Sequence, residues 1–314
     1  EVGPLEASIN ARFNDLFGQF EATDGLIVTN PADPAELVFA RLSQTYQLGP
    51  SGLSTGWELS QVWSNPGGDL AALDVHAETT KARVFVDYAV VRTIERNLMV
   101  SLALNTIDSS VDIAGARASE KHNRWVTAGA TYDDVIAGAA VILDVAFAQG
   151  IDGLGSRGED AGFRFVTAEG TISRKLSETV SAVLKATGQK ALTGLPTTVH
   201  FDIGGENYGR AFDGSTIDGD DGLAAIFELS KRIETGGTWL TGVTLFAFVD
   251  YGAVWNDPGV SPYRFAAVGS AGAGVRSRIG GHGIAPAYFA PPYLDTADAS
   301  DKSTRFRFTA GFRY

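Results

Sequence analysis

"TLFAFVDYGA", from Thr244 to Ala253, is the stretch on which the fold turns. Leu245, Ala247, Val249 and Tyr251 form one phase of a two-residue alternation, and all are apolar. Thr244, Phe246, Phe248, Asp250 and Gly252 form the other phase, which is mixed and carries a carboxylate. A period of two is the signature of a strand. In a soluble sheet the apolar phase would pack on a core and the mixed phase would meet water. In a membrane barrel the apolar phase meets lipid and the mixed phase a wet interior.

On both sides of this stretch the same alternation recurs almost everywhere and the helical period almost nowhere. "LMVSLALN" sets Leu98, Val100, Leu102 and Leu104 against Met99, Ser101, Ala103 and Asn105. "VILDVAFAQ" and "GLAAIFELS" repeat the pattern, again with single acids, Asp144 and Glu228, on the less apolar phase. The chain ends on "RFRFTAGFRY", which sets Phe306, Phe308, Phe312 and Tyr314 against Arg305, Arg307 and Arg313. Turn clusters such as "NPADP", "SNPGGD" and "NDPGVSP" separate the runs. Roughly sixteen candidate strands result, an even number as in bacterial single-chain barrels. They begin near Ala7, Phe20, Glu36, Ser54, Lys81, Asn97, Arg124, Ala139, Phe163, Glu178, Val199, Gly222, Trp239, Arg264, His282 and Arg305. The 314 residues then allow about 20 per strand with its connection, against about 9–11 needed to cross a bilayer. The expectation is one domain over residues 1–314: an all-β, closed antiparallel transmembrane barrel of sixteen strands whose last strand pairs with the first, near Ala7 to Asn14. No blade-like repeat of about 40 residues supports a propeller.

Composition narrows the function. A net charge of -12 argues against a nucleic-acid partner, which would need a basic patch. The absence of cysteine excludes a disulfide framework and thiolate metal sites. No run of about 18 apolar residues provides a membrane helix, and Glu1 opens no basic-then-apolar leader, so an exported form would be a processed or partial chain. His76, His122, His200 and His282 lack paired metal spacing. "GSAGAG" lacks the spacing of a nucleotide loop. "DGDDG" misplaces the glycine of a calcium loop and sets Leu229 where its closing glutamate belongs. No G-x-S-x-G is present. No catalytic site, metal or cofactor is expected.

The most unusual stretch is "VHFDIGGENYGRAFDGSTIDGDDGLAAIFEL", Val199 to Leu229. Phe201 with Gly204 and Gly205, then Arg210-Ala211-Phe212, then Gly219 to Gly222, then Glu228-Leu229, resemble the barrel of the two-partner secretion transporters of the TpsB type, relatives of the outer-membrane barrel-assembly proteins. "FVDYG" (Phe248 to Gly252), "GAGVRS" (Gly272 to Ser277), "YAVVRTIERNL" (Tyr88 to Leu98) and "YQLGPSG" (Tyr46 to Gly52) are similar to further segments of that family, in its order. Three positions depart from it: Gly209 for a β-branched residue, Ala211 for glycine and Ala89 for proline.

The resemblance implies an outer-membrane pore that exports an unfolded, typically β-helical passenger protein. POTRA domains are expected upstream of this chain, and lipid, lipopolysaccharide and the barrel-assembly machinery as partners. It implies an inward-folded loop acting as a latch, turned at Gly204, Gly205, Gly219 and Gly222. Phe312 and the terminal Tyr314 would form the assembly signal. Alternation places Asp250 and Glu228 on the interior phase, so the expected latch is an Arg210–Asp250 ion pair, with Glu228 nearby and Phe212 against the wall near Phe248. A passive porin, or a barrel that assembles or anchors surface components, are the alternatives.

Overall fold

The computed structural model describes residues 5–157, 161–256, 263–280, 282–298 and 303–313. Among these the regular structure is strand apart from two short 3-10 turns, Gly68–Leu73 and Thr197–Val199, and no helix is long and apolar enough to cross a membrane. The chain divides into two compact units, Glu1–Ala130 with Ala146–Arg164, and Thr131–Val145 with Phe165–Tyr314.

The first unit is an antiparallel meander. Strands β1 (Ala7–Asn14), β2 (Glu21–Thr29), β3 (Leu37–Gln47), β4 (Leu53–Ser64), β5 (Val75–Arg92) and β6 (Asn97–Ile113) each pair with the next. Directly opposed residues share a face, so the registers Leu42↔Leu59 and Trp57↔Val84 build one continuous apolar face. Leu42, Leu59 and Val84 stand exposed on it. Large apolar side chains that alternate along strands and remain uncovered are what a lipid-facing sheet requires.

Strands β7 (Ala116–Ile136) and β8 (Ala139–Gly150) follow. β5 and β7 begin earlier than the alternation indicates, at Val75 and Ala116 instead of near Lys81 and Arg124. Their first residues, "VHAETT" and "ARASEKHN", have no phase of large apolar side chains, so hydrophobic periodicity does not register them. At 18, 17 and 21 residues, β5, β6 and β7 far exceed the length needed to cross a bilayer.

The second unit continues with β9 (Arg164–Lys175) and β10 (Val180–Ala191), which pair with each other. The run expected to cross from Val199 does not. It supplies only β11 (Phe201–Ile203), paired with β12 (Ile217–Gly219) in a separate two-stranded ribbon. β10 instead pairs directly with β13 (Asp221–Ile233), so residues 192–220 form one long loop. Strands β14 (Leu240–Trp255), β15 (Phe265–Ile279) and β16 (Gly283–Ala290) continue the sheet. β17 (Pro292–Asp295) also pairs with β15, across a break at the Pro291-Pro292 pair, where prolines cannot donate to the ladder. The last run is likewise divided, into β18 (Arg305–Phe308) and β19 (Gly311–Phe312), both against β16.

Candidate functional site

The site lies in the second unit, where the 192–220 loop meets β13, β14 and β15. Its local shape follows from glycine. Gly204 and Gly205 adopt φ of 138° and 90°, and a Cβ on Gly204 would stand 1.8 Å from the Asp213 carbonyl. Gly209 has a φ of 77°, so the departure from the β-branched residue suits a left-handed position. Gly219 and Gly222 are not turn residues. Gly219 ends β12 and Gly222 lies within β13, where a Cβ would strike the Phe201 ring at 2.0 Å. These two glycines let the ribbon lie flat on the sheet.

The loop is held by packing. Ile203, Ala211, Phe212 and Ile217 join Ala224, Ile226, Phe246, Phe248 and Val254 of the wall in one buried cluster. Phe212, 1% exposed, is in the same cluster as Phe248, as the sequence reading expected. Burial pushes the Tyr208 phenol up to about 12, with the Glu169 carboxylate adding to the effect, so this loop side chain stays neutral.

Polar contacts fix its direction. The Arg210 guanidinium reaches Glu228, with Nη1 3.4 Å from Oε2, and donates from Nε to the Glu206 carbonyl at 3.0 Å. It lies over the Phe248 ring, 4.4 Å from the centroid. Asp250, 1% exposed, takes the Arg210 backbone N–H at 3.2 Å. The expected Arg210–Asp250 side-chain pair is therefore replaced by two contacts: the guanidinium turns to Glu228, and Asp250 grips the backbone. Register explains the choice. Glu228 is directly opposite Phe248, on whose ring the guanidinium rests, whereas Asp250 is opposite Ser270. Ser270 engages Asp250 twice, its backbone N–H 3.0 Å from Oδ1 and its hydroxyl Oγ 2.8 and 2.7 Å from the two oxygens, with one proton to donate to either.

Sequence reading missed Arg276 and Ser270. Arg276 binds Glu228 bidentately, both contacts 2.7 Å, and stacks 3.9 Å from the Phe246 centroid. The signal was the phase of "VGSAGAGVR", which puts Ser270, Gly272, Gly274 and Arg276 on one face. Gly272 is opposite Phe248 and Gly274 opposite Phe246. A Cβ on either would meet those rings at 2.7 and 2.5 Å, so both rings lie flat over backbone and present their faces to the two arginines. Glu228 thus sits between two stacked guanidiniums, a strong arrangement for a half-buried carboxylate.

Phe312 is exposed on β19, and Tyr314 lies outside the described residues. Among the described residues no group of histidines and acids is arranged to hold a metal ion.

Residues 49–277 match the family model of the haemolysin secretion/activation protein ShlB/FhaC/HecB. No curated protein matches the chain by sequence. Among solved structures, CdiB from Escherichia coli is similar with a TM-score of 0.87 at 15% identity, over 97% of this chain and 59% of that one. CdiB from Acinetobacter baumannii is similar with a TM-score of 0.78 at 16% identity, over 98% and 56%. BamA from Haemophilus ducreyi lacking POTRA domains 1–3 is similar with a TM-score of 0.71 at 14% identity, over 99% and 68%. The chain thus spans somewhat over half the length of the CdiB structures it resembles.

Proposed function

The chain belongs to the haemolysin secretion/activation protein family ShlB/FhaC/HecB and is a bacterial outer-membrane protein of a transport family, not an enzyme family, and we propose that it is the pore that exports one unfolded passenger protein. The observation that carries this reading is the loop of residues 192–220, seated on β13–β15 through Arg210, Glu228, Phe248 and Asp250. A closed sheet suits this reading, because an open edge in lipid leaves backbone groups unpaired at several kcal/mol, roughly, per group. The described residues hold fifteen of the sixteen expected runs, and in them β1 pairs with β2, and β18 and β19 with β16, in place of the expected pairing of last strand with first. The loop then lies in the lumen as a latch. Arginine suits a latch because its planar fork carries direction, and a partly desolvated guanidinium is costly to leave unpaired.

In the working cycle POTRA domains of the full gene product capture the passenger by strand addition, and the passenger, a β-helical protein, threads through the barrel once the loop leaves its seat. No nucleotide is needed; folding outside the cell supplies the drive. Phe312 and Tyr314 are read by the assembly machinery, and the apolar phase meets lipid and lipopolysaccharide.

The test is export of the cognate passenger by cells carrying the full gene product. Arg210→Ala abolishes export while the barrel remains inserted and folded. Unchanged export by that variant contradicts the latch. Passage of small solutes with no protein exported points to a passive channel.

A further inference from the structure

The terminal run poses a separate question: why its second phase is arginine. β18 is held to the sheet by four register pairs, Ala287↔Phe308 to Ala290↔Arg305, and β19 by two more. Phe306 and Phe308 stand exposed on one face. On the other, Arg305 and Arg307 reach the loop. Arg305 Nη1 donates to the Phe212 carbonyl at 2.8 Å, and its Nη2 pairs with the Asp213 carboxylate. Arg307 Nε pairs with Glu206 Oε1 at 2.7 Å. The two arginines therefore hold both ends of the segment 206–213, whose middle is Arg210. Glu206 is shared between the two systems, since its carbonyl accepts Arg210 Nε while its carboxylate accepts Arg307.

Charge and not packing makes this link. A cavity of about 220 Å³ opens beside it, lined by Glu206, Arg210, Arg276, Tyr288 and Arg307 among others. An exposed ion pair alone contributes little. The Arg305 guanidinium binds a carbonyl and a neighbouring carboxylate together, which is a directional contact, and the Arg307–Glu206 pair adds a second point of hold at the other end of the segment.

We propose that Arg305 and Arg307 are positioning residues for the loop, so that the loop and the C-terminal strand are held and released as one element. This rests on the latch reading of the loop. The chemistry explains the alternation of "RFRF": the phenyl rings serve the outer face and the guanidiniums serve the loop. Coupling of this kind is reciprocal, so unseating the loop loosens the strand as much as the strand's arginines steady the loop.

The test is amide hydrogen exchange on the protein in lipid nanodiscs. The double variant Arg305→Ala with Arg307→Ala is expected to exchange at least about tenfold faster across 206–213, with 223–229 of β13 unchanged. Glu206→Arg combined with Arg307→Glu restores the Arg307 grip with the charges reversed, and its loop protection exceeds that of Arg307→Glu alone. Gly204→Val, which unseats the loop from within, accelerates exchange at 305–308. Loop amides that keep wild-type protection in the double alanine variant overturn the proposal. So does an acceleration that spreads equally into β13, or one that charge reversal fails to repair. No passenger enters these measurements, so a failure of export and a failure of the coupling are seen separately.

Discussion

The wall under the loop and the meander of the first unit use the same device for different ends. In the meander, Gly56 of β4 lies opposite Phe85 of β5, a Cβ on it would meet that ring at 2.6 Å, and Arg83 lies over the ring at 4.9 Å. In the wall, Gly272 lies under Phe248, and Arg210 lies over the ring at 4.4 Å. Both are a glycine, a flat phenyl ring and a guanidinium. Arg83 comes from the same strand as its ring, two residues away, and is held by its own backbone. Arg210 arrives from a loop and depends on Glu228, on Asp250 and on the packing of Phe212. A stacked arginine is thus a general way to place a cation on a sheet face. It becomes a candidate latch only where the cation is delivered by a removable segment.

The largest expected break between the two regions is at Phe212. Phe212→Ala removes a fully buried ring and is expected to cost about 3–5 kcal/mol of loop seating, read as protease sensitivity within 204–216. A loop that stays protected means that the polar contacts suffice. Next come the outer faces, which should be equal in the two regions. Val249→Arg and Leu42→Arg are each expected to cost about 2–4 kcal/mol when near the midplane, measured by urea unfolding from vesicles. A clear inequality between them means that one face is not lipid-exposed. The arginines themselves are a smaller and sharper test. Arg210→Ala and Glu228→Ala in a double-mutant cycle should couple by about 1–3 kcal/mol. Arg83→Ala, which loses a stacked contact and a charge interaction with Asp87 on its own strand, should cost about 0.5–1 kcal/mol. The smallest effect is expected at Lys81, exposed on the non-lipid phase of the meander, where Lys81→Ala should stay within about 0.5 kcal/mol by the same unfolding measurement.

How much could be read in advance differs along the same lines. The strand alternation was legible because lipid demands an uninterrupted apolar phase: Leu245, Ala247, Val249 and Tyr251 can be read directly. So was the membership of Arg210, Phe212, Glu228, Phe248 and Asp250 in one neighbourhood, through phase and family resemblance together. The pairing within that neighbourhood was not. Whether Arg210 turns to Glu228 or to Asp250 depends on which carboxylate Ser270 already satisfies, and that is a matter of register between β14 and β15. The Val199 run misled because Val199, Phe201 and Ile203 alternate like a crossing strand, although the segment lies in the loop, with Phe201 and Ile203 packed against the wall. A pattern of apolar residues specifies that a face is covered, not what covers it.

If the barrel exports protein, the loop seated on β14 must leave for the passenger to pass. The chain has no cysteine, so a lock can be built cleanly. A Cβ on Gly252 of β14 would stand 2.8 Å from Cγ2 and 3.3 Å from Cγ1 of Ile203 in β11, close enough for a disulfide. The measurement is passenger export by the full gene product carrying Ile203→Cys and Gly252→Cys, under oxidising conditions and again after reduction. The bond is expected to form, export to stop while it is intact, and reductant to restore export toward the level of the reduced variant. Continued export with the bond formed would show that the loop need not move.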